Sequence, residues 1–345
     1  MPFYKSLKDR KRYTQDEANF ITDRLLALRK GLANHIPARS HSKTVLIGTW
    51  NIREFDNNKY GRRLPESYHY IAEVIAAFDI CAIQEVKSDM KALKQVMYLL
   101  GPNYDYFVTD VTDGNAGNDE RMAFVYDKRK ILFRKLIGEI TIDKRYLEPD
   151  EPQFARTPFF AAFQAGWFKF VLSTVHLYYG AASGAKLQRR IKEIDHIART
   201  IARKAEKEDE NYILLGDFNI VSPEHETMKA LKRHEFQIPE GIGPSNLKGN
   251  MYYDQIAFNT KRNELAFGSA GVFDIFRYVF RPQDYDVYEP KIAAKYKKSD
   301  AAKDKKMYKN QWRTYQISDH NPIWVELEVD YSDAYLRSVQ KAPNA

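Results

Sequence analysis

The chain has 345 residues, 44% of them apolar and 14% aromatic, enough for a large core, with 29% charged residues to cover it. No apolar run approaches the ~18 residues that mark a membrane-spanning helix, and the charged start MPFYKSLKDRKR lacks the apolar centre of a secretory signal, so a cytoplasmic protein is expected. Cys81 is the one cysteine, which excludes internal disulfides and cysteine metal clusters, and a net charge of +8 (54 Lys and Arg against 46 Asp and Glu) leans toward a polyanionic partner.

Residues 14 to 36 read as a helix. Thr14-Gln15-Asp16-Glu17 has the pattern of a capping box, and Ile21, Leu25, Leu28 and Leu32 recur on one face. This N-terminal extension, residues 1–43, is expected to pack on the body or to serve a protein partner or self-association. The first strand runs into Asn51 and is followed by a polar loop, Arg53 to Arg63, and a helix from about Pro65 to Phe78. The next strand ends at Glu85, and a helix from Asp89 to Leu100, capped by Ser88, stops at Gly101-Pro102. Strands are expected at Tyr104–Thr109, Met122–Tyr126, Ile131–Ile140, Phe159–Ala165 and Phe168–His176, with a turn-forming cluster, residues 113–119, between the first two. A long charged helix, about Ala185 to Lys207, leads to the strand ending at Asp217. Mixed strands with interspersed helices predict a four-layer α/β sandwich: two packed mixed β-sheets flanked by helices.

Residues 281–316 are basic and aromatic, with Lys297, Lys298 and Trp312 among ten cations and six aromatic rings. Lysines neutralise phosphates and rings stack on bases, so the segment suits nucleic acid; a solvated insertion explains it equally well.

Six apolar runs meet a residue able to hold a metal or move a proton: Asn51, Glu85, His176, Asp217 with Asn219, Asp254, and Asp319-His320. Oxygen donors suit a hard divalent cation, above all Mg²⁺, with Mn²⁺ and Ca²⁺ as chemical substitutes. Glu85 is the first candidate ligand, with Asn51 and Asp319 beside it. Asp217 and Asn219, two apart, would face one way on an extended backbone and orient a water while Phe218 enters the core. His320 follows Asp319 directly, so the two serve one site only if the stretch is a loop or bulge. The other six histidines, His69 and His196 among them, sit in helices or loops and are read as surface residues.

Thr49-Trp50-Asn51, Gln84-Glu85, Val175-His176-Leu177, Gly216-Asp217-Phe218-Asn219, Tyr253-Asp254 and Ser318-Asp319-His320 occur in an order that resembles the endonuclease/exonuclease/phosphatase superfamily, most closely its deoxyribonuclease I-like branch. The resemblance spans residues 44–330, leaving 331–345 as a tail. It implies the same four-layer sandwich and a Mg²⁺-dependent phosphodiesterase, a nuclease acting on DNA ahead of RNA and cutting internally. The alternative it leaves open is a phosphatase or phosphodiesterase for a small or lipid phosphate. It further implies that His176 and His320 flank the scissile phosphate, oriented by Glu120 and Asp254, and that Arg156 contacts a phosphate, with Arg121 beside Glu120 on the substrate side.

Overall fold

The computed structural model describes residues 2–55, 59–111, 119–147, 152–208, 210–259, 267–297 and 300–341; most of the turn cluster at 113–119, and Lys298, lie outside them. Eleven strands build two sheets among the described residues. The six-stranded sheet holds β1 (Thr44–Phe55), β2 (Ile80–Lys87), β3 (Tyr104–Val108), β4 (Glu120–Asp127), β10 (Phe267–Val272) and β11 (Ile323–Glu328), in the order β10-β11-β1-β2-β4-β3. The five-stranded sheet runs in chain order through β5 (Leu132–Glu139), β6 (Phe159–Ala165), β7 (Phe168–His176), β8 (Asn211–Asp217) and β9 (Asp254–Asn259). Both sheets are mixed: β1/β2 and β7/β8 are parallel pairs.

The near-continuous apolar runs follow from burial on both faces. On β1, Val45 and Ile47 point between the sheets, whereas Leu46 and Trp50 point outward. On β8, Ile213 and Leu215 point inward, whereas Tyr212 and Leu214 face the helices. The outer faces are covered by α1 (Gln15–His35), α2 (Pro65–Ala76) and α3 (Lys91–Leu100) on one side, and by α4 (Gly184–Lys207) and α5 (Glu226–Lys232) on the other. Helix, sheet, sheet and helix are the four expected layers.

The expected helix start at Thr14 is present as a capping box with Glu17. Ile21, Leu25, Leu28 and Leu32 are buried inside the chain, in the cluster that contains α2, so α1 packs on its own body. Ser88 does not cap α3; Met90 takes that position in a left-handed conformation, and Asp89 accepts from the Lys91 N–H at 3.1 Å. The 281–316 segment is neither a loop nor a stacking platform. Its described residues form a string of short helices in which Tyr288 and Trp312 pack on Phe280, Tyr308 stacks on Trp312, and all fill the outer core. Trp312 is 1% exposed and offers no face to a base, a correction that follows from its spacing: Tyr308 and Trp312, four apart, lie on one helical side. His69 and His196 are likewise buried rather than superficial. The tail carries a helix over Ser332–Lys341. No described helix is long and apolar enough to cross a membrane.

Beneath α1 the carboxyl of Glu73 is pushed up to about 7 by burial, since Arg29, at 3.8 Å, is too distant and too exposed to offset it. A raised acid binds its proton in the folded state before the unfolded chain does. Stability from this group is therefore full below about pH 4.5 and falls as pH rises to about 7, by at most about 3 kcal/mol. Glu73→Gln should raise the melting temperature at pH 8 and leave it nearly unchanged at pH 4.5, as followed by circular dichroism. Equal effects at both pH values would remove the burial argument.

Candidate active site

Strand alternation explains where the candidate residues gather. Counting by twos from the inward-facing apolar residues, Asp217, Asp254 and Glu120 fall on the inner faces one step beyond the last apolar residue, and Asn51 and His176 one step further, past Thr49 and Thr174. Register then aligns three of them side by side: His176 lies opposite Asp217 on β7/β8, and Asp217 opposite Asp254 on β8/β9. The floor beneath is polar but satisfied. Gln84 Nε2 donates to Thr49 Oγ1 at 3.0 Å and to Thr174 Oγ1 at 2.9 Å, tying the two sheets together.

Glu85 is the exception to alternation. Its parity would send it to the helix side, but β1 and β2 both break register here, between Asn51 and Phe55 and between Ile83 and Val86. Glu85 takes φ +63°, a left-handed conformation unfavourable for a side chain of this size, and the bulge turns its carboxylate into the cleft. Both strands thus continue past their candidate residues instead of ending on them. Oε2 of Glu85 accepts the Glu54 N–H at 2.6 Å, and Oε1 lies 4.0 Å from His176 Nε2. Burial and then the nearby Glu120 raise the Glu85 carboxyl above the usual range.

Each histidine is backed by an acid. His320 Nδ1 meets Asp254 Oδ2 at 2.7 Å, and Ser245 Oγ donates to the same oxygen at 2.6 Å. Burial alone would deprotonate the ring and neutralise the acid. The negative charges of Asp254, Asp217 and Asp319 around the imidazole win, and His320 holds its proton well above the ordinary histidine range. The Asp319-His320 stretch is a loop, as its two roles require. Ser318 Oγ accepts the His320 and Arg53 N–H groups and donates to Asn51 O at 2.6 Å, Trp50 Nε1 donates to His320 O at 2.8 Å, and Tyr253 stacks on the ring at 5.5 Å.

His176 Nδ1 lies 3.3 Å from Glu120 Oε2, aligned as an ion pair and not as a hydrogen bond, with Nε2 turned to Asp217 Oδ2 at 3.6 Å. Burial pushes Glu120 upward, but His176, Arg156 and Lys87 outweigh it and hold the carboxyl down to about 2. Arg156 therefore stands in the cleft wall bound to Glu120, Nε to Oε2 at 2.7 Å. Asp217 accepts from Asn51 Nδ2 at 3.0 Å and from the Asn219 N–H at 2.8 Å. Asn219 lies past the strand end with φ +55° and donates to Leu177 O, so the expected extended Asp217/Asn219 pair is instead a turn. Gly216 makes that turn fit: at φ +125°, a Cβ there would lie 2.2 Å from Val175 O.

The cleft, about 580 Å³, is lined by Arg53, Glu54, Glu85, Lys87, Asp119, Glu120, Arg156, His176, Asp319 and His320. Asp319 Oδ2 pairs with Arg53 Nη1 at 3.4 Å. Three of the other expected substrate contacts are placed elsewhere. Arg121 bonds Thr109 O at 2.7 Å and pairs with Asp110, Lys297 pairs with Glu289, and Trp312 is in the core. Conversely, Ser245, Arg53 and Lys87 escape sequence reasoning; Lys87, two places beyond Glu85 and opposite Glu120 on β4, is the one a strand argument could have found.

The donor set fits a hard divalent cation. Asn51, opposite Gln84 on β2, has a buried Oδ1 with no hydrogen-bond partner, and the Glu85 and Asp319 carboxylates of the cleft are further oxygen donors. A second cluster, Asp217, Asp254 and His320, also brings its ligand atoms within 4.8 Å. There Asp254 and His320 already bond each other, which suits proton handling better than ligation.

Residues 48–296 match the model of the Endonuclease/Exonuclease/phosphatase family. The chain is 25% identical over 294 residues to a deoxyribonuclease of Thioalkalivibrio sp. (strain K90mix), covering 82% of this chain and 70% of that one. It is 26% identical over 181 residues to deoxyribonuclease-1-like 2 of Mus musculus, covering 50% of this chain and 59% of that one. A mannosyl-6-phosphatase from Bacteroides thetaiotaomicron VPI-5482 shares the fold, with a TM-score of 0.54 and 17% identity over 82% of this chain and 99% of that one. Members of the matched family are phosphate-ester hydrolases that generally depend on a divalent metal. The chain belongs to the Endonuclease/Exonuclease/phosphatase family, on its deoxyribonuclease I-like branch.

Proposed function

We propose that the chain is a divalent-metal-dependent nuclease that hydrolyses internal phosphodiester bonds, in DNA ahead of RNA. The observation that carries this reading is the pair of acid-backed histidines, His320–Asp254 and His176–Glu120, turned toward one cleft that also holds Glu85. A phosphodiester needs help at both its attacking and its leaving oxygen, and two imidazoles supply it. The likeness to two deoxyribonucleases supports a nucleic-acid substrate.

Glu85 and Asn51, with Asp319 at the rim, would hold Mg²⁺ or a similar ion, which when bound stabilises charge on the phosphate oxygens. His320, charged at neutral pH, donates through its Nε2–H to the developing oxyanion or the departing oxygen. His176 Nε2 accepts the proton of the attacking water, which Asp217, with its Oδ2 3.6 Å from that nitrogen, orients. Arg156 and Lys87 balance the buried Glu120 and leave positive charge facing the substrate phosphate.

The test is a substrate panel: supercoiled plasmid, single-stranded DNA, RNA and sugar phosphates, with Mg²⁺ and with a chelator. Nicking of plasmid in Mg²⁺ that stops on chelation is expected. Release of inorganic phosphate from sugar phosphates with intact plasmid would replace the nuclease by a small-molecule phosphatase.

A further inference from the structure

Beside the cleft, and sharing Asp319 and His320 with it, lies a second groove of about 760 Å³. One wall is the loop 246–253 and the other is the turn that carries Lys309 and Asn310. The loop is stitched by Asn246, whose Oδ1 accepts the Asn250 and Met251 N–H groups at 2.9 Å each. It is also tied to the catalytic loop: Leu247 N donates to Asp319 O at 2.9 Å, Asn321 N donates to Ser245 O at 2.6 Å, and Asn246 bridges His320. Lys248 is thus an exposed cation on a rigid turn fixed to the active-site histidine.

The opposite wall is built with equal care. Tyr308–Trp312 is a π-helical turn, a rare widening that is over-represented at functional sites. Tyr308 and Trp312 are buried, and the widened turn leaves Lys309, Asn310 and Gln311 exposed. Arg313 locks it by donating to Lys309 O at 2.7 Å and Phe280 O at 3.2 Å. Three other cations of this segment are paired with acids of the chain: Lys291 with Glu17 and Glu66, Lys297 with Glu289, Lys303 with Asp300. Lys248 and Lys309 have no acid within ion-pair reach among the described residues, and they line one groove.

We infer that this groove seats the backbone of a nucleic-acid strand on the His320 side of the scissile bond, with Lys248 and Lys309 neutralising phosphates that flank the reacting one. The inference rests on the nuclease reading and adds a direction to it: contacts extend past His320, along a tract that a small phosphate ester, filling only the first cleft, would leave unused. Asn310 and the Asn250 Nδ2 group add amide contacts along the tract without the directional demand of a base-specific code, while Asn246 is spent within the loop.

The test compares wild type, Lys248→Gln, Lys309→Gln and the double variant on oligonucleotides of increasing length and on bis(4-nitrophenyl) phosphate, all in Mg²⁺ over a salt series. Both lysines are exposed, so folding should be intact, and the double Lys→Arg variant checks this by retaining wild-type behaviour. For wild type, kcat/KM should climb with length. The double Gln variant should lose roughly tenfold on long substrates, cleave the small diester as wild type does, and have a salt slope shallower by about one for each lost phosphate contact. If wild type cleaves oligonucleotides and the double variant matches it in length dependence and salt slope, the groove assignment falls and the nuclease reading stands. If wild type leaves every oligonucleotide intact while splitting small phosphate esters, the nuclease reading falls and takes the groove with it.

Discussion

Glu85→Gln is expected to lower kcat on nucleic acid by roughly a thousandfold, the loss typical when a group that stabilises transition-state charge is removed. The amide preserves the shape of the side chain and can still accept the Glu54 N–H, so the strained turn at Glu85 should survive. What is lost is the negative charge in a place where burial and Glu120 already make that charge costly. A buried carboxylate facing a second one is stable when a cation sits between or beside them, and Asn51, paired with Gln84 next to Glu85 in sequence, has an orphaned buried Oδ1. Binding can be read without turnover. Mg²⁺ or Mn²⁺ should raise the melting temperature of wild type in proportion to its occupancy, and this shift should shrink sharply for Glu85→Gln. A variant that keeps both near-normal activity and the wild-type cation shift would move the metal away from Glu85, toward the Asp217–Asp254–His320 cluster.

The layers and nearly all strands were legible because doubly buried strands leave apolar runs that end in polar turns. Phe159–Ala165 and Phe168–His176 could be bounded directly, since Gly166-Trp167 separates them as a tight hairpin. The inner-face position of His176, Asp217 and Asp254 is also a matter of parity. Glu85 departs from the expected strand end: it sits in a bulge, and a bulge is set by pairing with a distant strand, which a local pattern does not encode. Partner choice was similarly invisible. Arg121 and Arg156 are both strand-edge cations in sequence, yet Arg156 meets Glu120 inside the cleft wall while Arg121 folds onto Thr109 O. The aromatic residues of 281–316 misled because composition does not say which side of a helix a ring occupies. Their four-residue spacing does, and it sends Tyr308 and Trp312 inward while leaving Lys309 outside.

Asp254→Asn should be the most damaging substitution that leaves the cleft's volume intact, with a loss of a thousandfold or more in kcat. In the native site Asp254 Oδ2 takes the Nδ1 proton of His320 and a second hydrogen bond from Ser245. An amide at that position can offer its N–H to Nδ1 and so select the tautomer with the wrong nitrogen protonated. It also removes the charge chiefly responsible for lifting the imidazole above its ordinary range. The wild-type rate should therefore persist into alkaline solution and fall only as His320 finally loses its proton. In Asp254→Asn that alkaline limb should move to lower pH, which a merely structural role for Asp254 would not produce. Glu120, held down to about 2, stays ionised across the whole assay range and so contributes no limb to the profile. His176→Ala and His320→Ala should each be nearly inactive, and the double variant little worse, because two groups that act on one proton-transfer sequence are not additive. An active His176→Ala enzyme with an unshifted alkaline limb in Asp254→Asn would falsify the two-histidine scheme. Water activation would then pass to Asp217, whose Oδ2 already lies between Asn51 and His176.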